Sequence, residues 1–552
     1  MRPADISIGN ALRLFHTVRH LKPAQIVGRA QAKLRRVVPD PTPAPKTRLP
    51  LGHWVATVSR AASLKPGFQV RFLNEDGEIK SRAQWNDPGK AKLWLYNLHY
   101  FDDLCAGDGY NRRGLQRELI ARWIEENPPG DGNGWEPYPV SLRIVNWVKW
   151  ALSGETLDAK MRDSLAMQVS WLTHHIEWHL LGNHLLANAK ALVFAGLYFD
   201  GPEADRWLDQ GIAIYTAQLK EQILDDGAHF ELSPMYHAII LEDLLDLINL
   251  SRHYGSPNTE VFQDLPDLTR RMRYWLAAMT HRDGNLSFFN DAAVGIAGKR
   301  DDIEAYAMRL QLGPVAGPGE GVHHLAASGY VRVNCDDMTA ILDLASVGPD
   351  YLPGHAHADT LSFELTLGNE RLIVNGGTST YAPGGLREAE RATAAHSTVE
   401  IDGENSSEVW ASFRVARRAR VANVVIQDNG SDVMITASHD GYSRLPGRPL
   451  HYRTWYFSPV ALKMVDRILG VRVPDAIARF HLGHGVSSTI EQGSHQGVLT
   501  TSSNRSVHWK SSEPVAIDDG NWAREFGCRL PTSTLLAPLR SGRLDFGLEW
   551  QR

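Results

Sequence analysis

The sequence contains no G-x-S-x-G elbow, no P-loop, no G-x-G-x-x-G fingerprint, no H-E-x-x-H and no C-x-x-C. Serine hydrolysis, nucleotide chemistry, zinc-protease chemistry and dithiol redox chemistry therefore lack the residue sets that support them. Cysteine is scarce: Cys105, Cys335 and Cys528 are the three in 552 residues. An odd count at wide spacing argues against a disulfide framework or a zinc ribbon, and the three are expected to be buried thiols. No run of about 18 uncharged apolar residues occurs, so no membrane-spanning helix is expected. The opening stretch has no apolar core of signal-peptide length, because Arg13, His16, Arg19, His20 and Lys22 interrupt it. A cytoplasmic location is the expectation, with the periplasm as the alternative. Excess charge of one sign is missing too. The formal net charge is -5, from 58 basic and 63 acidic residues. That argues against a nucleic-acid partner while leaving room for a local basic groove.

What is present is ordinary globular material, 43% hydrophobic and 22% charged. The length predicts more than one domain. The basic opening reads as an amphipathic helix, solvated on the body or touching an anionic membrane surface or partner. A Pro-rich connector over residues 38–50 and a mixed segment complete an N-terminal extension, 1–90. From 91 to 315 the apolar residues recur at i, i+3, i+4 and i+7, as in VSLRIVNWVKWALSG and NHLLANAKALVFAGLYF, with Gly, Pro and Asp breakers between. Helix follows helix with no strand between, which predicts a bundle or an (α/α) toroid. LGPVAGPGEGV marks a boundary. From 316 to 552 short alternating or β-branched runs such as TLSFELTLG and ALKMVDRIL predict an antiparallel β domain.

Four segments carry chemistry. In GNHLLAN, Asn183 and His184 open an apolar helix, and Asn183 is also an N-cap candidate. In DGAHFELSPMYH, Pro234 marks a first helical turn holding Tyr236 and His237. A core tyrosine is the plainer reading of Tyr236. In PGHAHADTLSFEL, an extended chain would project His355, His357 and Asp359 from one face, a pattern suited to a metal or a base. Finally, Arg387, Arg391, His396, Trp410, Arg414, Arg417 and Arg418 offer guanidinium forks and an aromatic face for a carboxylated sugar chain, or else lie solvated on strand faces.

With WLYNLHYFDDL, WEPYPVSLRIVNW, FFNDAA and RATAAHSTVEIDG in the same order, these segments resemble the heparinase II/III-like polysaccharide lyases over most of the chain. The resemblance implies an incomplete (α/α) toroid followed by an antiparallel β-sandwich. It also implies β-elimination on a uronic-acid-containing acidic polysaccharide or oligosaccharide, and the lack of a recognisable signal peptide turns the expectation toward a bacterium's own exopolysaccharide. Asn183 matches the asparagine that contacts the uronate carboxylate, Tyr236 the tyrosine acid/base, and His355 the catalytic histidine; His184 is a supporting catalytic group. Trp135, Tyr138, Arg143, His237, Arg387, Arg391 and Trp410 are the implied substrate-binding set. No cofactor is required for the chemistry. A structural divalent ion, Zn or Ca, is implied at His357 and His396, with Asn375 standing where relatives carry Asp and Asp359 as a substitute. A metal-free histidine cluster is the alternative. A uronyl C5-epimerase and a non-catalytic glycan-binding assembly factor are the competing functions. Oligomeric state has no sequence signal.

Overall fold

The computed structural model describes residues 8–34, 37–255, 262–430, 432–472, 474–491 and 493–551. Arg35 and Arg36 of the basic opening lie outside them. Two short helices, α1 (Ile8–Val18) and α2 (Pro23–Leu34), precede a coil whose Lys46–Thr47 pairs with Phe199–Asp200. The helical body then comprises α3 (Lys92–Tyr100), α4 (Arg113–Glu126), α5 (Pro137–Leu152), α6 (Ala159–His174), α7 (Gly182–Tyr198), α8 (Pro202–Gln222), α9 (Pro234–Tyr254), α10 (Leu265–Ala278) and α11 (Arg300–Arg309).

Helix α7 is the centre of this body. It packs on α8, α5 and α9, and every one of its residues except His184 is buried. A helix apolar all round belongs inside; the single half-exposed position therefore marks where the interior opens. Helix α9 starts at Pro234 with Ser233 as its N-cap, and stops at Gly255, whose φ of 56° supplies the left-handed turn. None of the described helices is long and apolar enough to cross a membrane.

The β region begins at Gly321–Leu325. A nine-stranded antiparallel sheet runs Ala516–Glu525, Cys528–Pro538, Ala476–Leu482, Glu370–Val374, Phe363–Leu367, Met338–Asp343, Tyr330–Cys335, Gly321–Leu325, with Val399–Ile401 paired to Ala476–Leu482. An eight-stranded antiparallel sheet packs against it. Inward side chains of both, among them Phe363, Phe480, Trp455, Trp509 and Phe546, share one core, so the region is a β-sandwich. Two smaller apolar clusters join sandwich to helices. In one, Trp275, Met279 and Phe289 meet Tyr330 and Ile341; in the other, Met235, Tyr236 and Phe288 meet Val374, Trp522 and Phe526. Cys105, Cys335 and Cys528 form no disulfide and are half-buried rather than fully buried, a correction to the sequence expectation.

Candidate active site

The site lies where these two halves meet. From the helical side, α5 presents Tyr138, the first turn of α7 presents Asn183 and His184, and the first turn of α9 presents Tyr236. Ser233 caps α9 by accepting the Tyr236 N–H at 3.2 Å, and its own hydroxyl donates to the Asp291 carbonyl at 2.5 Å. Asn183 is not a cap: Leu181 occupies that position without a side-chain bond. The asparagine amide lies beside the Tyr138 hydroxyl instead, and its backbone N–H reaches Glu231 Oε1 at 3.4 Å. Three non-glycine residues beside these groups hold left-handed backbone: Leu181 (φ 63°), Leu232 (φ 59°) and Asn290 (φ 56°). Such positions cost of order 1–3 kcal/mol each and persist only where packing enforces them.

From the sandwich side, His355 comes within 3.9 Å of the Tyr236 ring, centroid to centroid. Its Nδ1 lies 2.9 Å from Asp291 Oδ2, so this carboxylate accepts the Nδ1–H and orients the ring, with Nε2 turned toward Glu231 Oε2 at 3.6 Å. Asp291 is fully buried and saturated. His357 Nε2 donates to its Oδ1 at 2.9 Å, Thr378 at 3.2 Å, and Arg387 grips both oxygens, Oδ2 at 2.7 Å. Burial pushes this carboxyl upward, but the Arg387 charge and the two histidine bonds outweigh it and hold Asp291 well below the ordinary carboxylate range. The Tyr236 hydroxyl meets Tyr381 Oη at 3.1 Å, and burial raises its pKa well above that of a free tyrosine. Burial likewise raises Glu231. At His184 burial acts downward, but the charge of Glu177, 3.0 Å away, prevails and raises it. His184 also lies over the Tyr138 ring at 4.4 Å.

The structure thus brings together Asn183, His184, Tyr138, Tyr236 and His355. It separates others that the sequence grouped with them. Trp135 is buried among Trp123 and Trp171. Arg143 is buried too, donating to the His99 and Gly134 carbonyls and to Gln168 while covering Trp123. His237 points inward from α9, hydrogen-bonded to the Met272 carbonyl at 2.9 Å and with its ring tilted against Trp275. These three are core groups, not substrate contacts, because helix packing turns them inward. Arg387 and Arg391 belong to a short helix, α12 (Gly385–Arg391), and are buried. Arg387 holds Asp291, and Arg391 holds the Ala356 carbonyl between the two histidines. Their guanidinium groups are spent on Asp291 and on the His355–Asp359 loop, inside the protein. Trp410 donates to Thr17 at 3.2 Å and lies under Arg414; Arg417 pairs with Glu408 and Arg418 with Asp350.

The expected ion site is also different. The His355–Asp359 stretch is a loop rather than a strand. His355 and His357 do converge, on Asp291, whereas Asp359 turns away to accept the Asn290 N–H at 2.9 Å. His357 Nδ1 accepts from His396 Nε2 at 3.2 Å, and Asn375 spends its amide on Ser362 and Ser397. Burial pushes His357 down to about 4 and His396 to about 3, so both stay neutral in a directed chain, His396 to His357 to Asp291. Among the described residues no three His, Cys, Asp or Glu side chains are arranged to hold a metal. The residues present do not fit the implied ion. Sequence reasoning missed Asp291, Glu231 and Tyr381. Asp291 and Glu231 lay inside quoted motifs, but nothing local pointed to their partners.

Residues 117–306 match the family model for the heparinase II/III N-terminus, and 317–546 that for the heparinase II/III-like C-terminal region. The heparin-sulfate lyase of Pedobacter heparinus is 25% identical over 321 residues, 51% of this chain and 47% of that protein. The one from Bacteroides stercoris is 24% identical over 273 residues, 45% and 40% of the two chains. FtsZ-localized protein C of Caulobacter vibrioides is 26% identical over 377 residues, 64% and 61%. The matched region thus spans 40 to 61% of the length of these relatives. A heparinase III crystal structure superposes with a TM-score of 0.67 at 16% identity, covering 100% of this chain and 87% of that one. A mutant of the heparan sulfate lyase HepC from Pedobacter heparinus gives 0.61 at 17%, covering 96% and 88%. Both show the fold. With both family models covering its two halves in order, the chain belongs to the heparinase II/III-like family.

Proposed function

We propose that the protein is a polysaccharide lyase that cleaves a uronate-containing glycan by β-elimination. The observation carrying this reading is the Tyr236–His355 pair, in ring contact, with His355 oriented by a buried, ionised Asp291. A uronate C5 proton is poorly acidic while its carboxylate stays charged. Asn183, His184 and Tyr138 form a hydrogen-bonding group at the mouth of α7 that would neutralise that carboxylate. His355 Nε2 then takes the C5 proton, while Tyr236, its pKa raised by burial, keeps its own until the leaving oxygen needs it. The electron pair forms the C4–C5 double bond, and the C4–O bond breaks as Tyr236 protonates the leaving oxygen. Each well-placed proton transfer is worth roughly 10²–10⁴-fold. Two acid/base groups side by side favour elimination over epimerisation, which needs protons from opposite faces. The names of the heparin-sulfate lyase relatives support this class of substrate. The setting we propose is metabolism of an acidic exopolysaccharide.

The test is ultraviolet absorbance of the unsaturated product, with purified protein offered heparan sulfate, unsulfated uronate polymers and bacterial exopolysaccharides. A rise on one of them is expected. A flat trace with solvent deuterium entering C5 would replace elimination with epimerisation, and a flat trace without exchange across the panel would count against both.

A further inference from the structure

Helices α1 and α2 are attached to the protein inside out. At about 100° per residue, Ala11, Leu12, Leu14, Phe15 and Val18 fall on one face of α1, and Arg13, His16 and Thr17 on the other. The polar face makes the contacts. Thr17, whose hydroxyl donates to the Arg13 carbonyl one turn back at 2.8 Å, lies 3.4 Å from the Val415 carbonyl and accepts from Trp410, while Arg13 lies 3.8 Å from Glu408. The apolar face is left in solvent, with Phe15 57% and Leu12 51% exposed. Helix α2 repeats the arrangement. Gln25 and Gly28 are its buried residues; Gln25 donates to the Tyr351 carbonyl at 3.2 Å, and Gly28 presses on Trp178 and His179. Ile26, Val27 and Leu34 point the opposite way, at 60%, 53% and 82% exposure. A helix that merely covers a soluble body has the reverse arrangement.

Charge names the occupant. From Ile8 to Leu34 the sequence holds Arg13, Arg19, Lys22, Arg29 and Lys33 and no Asp or Glu. Arg29 and Lys33 border the apolar stripe of α2 along one edge. An apolar face bordered by cations, on helices of 11 and 12 residues that are too short to span a bilayer, is built to lie in the plane of an anionic lipid surface. We propose that α1 and α2 are a docking surface for an anionic membrane. The attachment points of α2 are the loops leading into Asn183 (Trp178, His179) and His355 (Tyr351), so docking would set the cleft beside the membrane.

Sedimentation of the full-length protein with phosphatidylcholine vesicles, with and without phosphatidylglycerol, tests this without reference to enzymatic activity. Binding is expected only with phosphatidylglycerol, and should weaken as salt rises. The double variant Phe15→Glu/Ile26→Glu should bind at least about tenfold more weakly with an unchanged melting temperature, since both side chains are exposed. A second variant, Arg29→Gln/Lys33→Gln, should also bind more weakly and leaves the apolar face intact. Wild-type protein that stays in the supernatant with both vesicle types would overturn the proposal, as would undiminished binding by both variants. A wild-type dimer that Phe15→Glu/Ile26→Glu converts to monomer, without vesicle binding, would assign the face to a second copy of the chain.

Discussion

Asp291 decides most of what happens at the site. It is fully buried and accepts from two histidines, a threonine and the Arg387 fork. Replacing it by Asn leaves Arg387 as an uncompensated buried charge. Asp291→Asn should therefore destabilise the protein by about 3–5 kcal/mol in denaturant unfolding. It should also lower kcat by at least about tenfold, because the amide no longer fixes the His355 tautomer. A variant as stable as wild type would mean that Arg387 finds another partner. The chemistry of this residue was not legible in the sequence, since His355 and Arg387 lie 64 and 96 positions away. Local signals fared better. Pro234 before Tyr236 gave the first turn of α9, and the spacing of His355 and His357 gave their convergence. Arg387 and Arg391 were misread because counting charges in a sequence does not reveal the carboxylate and carbonyl that consume them.

At the scale of elements, the start of α7 is the most constrained joint. Gly182 sits at φ 54°, and an added Cβ would come 2.3 Å from Leu352 Cδ2 and 2.8 Å from Glu231 Oε1. Gly182→Ala should cost about 1–3 kcal/mol of stability. It should also raise KM, because Asn183 and Glu231 shift together. Unchanged KM and stability would show that the joint is softer than its geometry. The helices themselves were readable from their 3.6-residue period, and the change to strands after residue 313 from the loss of that period. What periodicity withheld was direction. The sequence places Trp135, Arg143 and His237 next to site residues, but a helix exposes one face only, and packing assigned these three to the other.

For the whole molecule, the joint between helices and sandwich is built on neutral buried imidazoles as well as apolar clusters. His237 is pushed down to about 3 by burial, against an ordinary value of 6.5. In the unfolded chain it protonates near 6.5, so below that pH the unfolded state binds the extra proton and the residue's contribution to stability is lost as pH falls. His237→Gln removes this linkage. Relative to the variant, wild type should lose about 1.4 kcal/mol per pH unit below 6.5, roughly 2.7 kcal/mol by pH 4.5. Denaturant unfolding of both proteins at pH 7 and pH 4.5 measures the difference; an equal difference at the two values would mean that His237 is charged in the fold.

The central claim is that Tyr236 transfers a proton in the elimination. Its hydroxyl meets one described protein group, Tyr381 Oη at 3.1 Å, so Tyr236→Phe removes the proton with little disturbance of packing. The direct measurement is the rate of double-bond formation by wild type and Tyr236→Phe on one substrate, with melting temperatures as control. We expect a loss of at least about 10²-fold in kcat with the fold intact. A variant within a few-fold of wild type would contradict the account and leave His355 to do the chemistry alone.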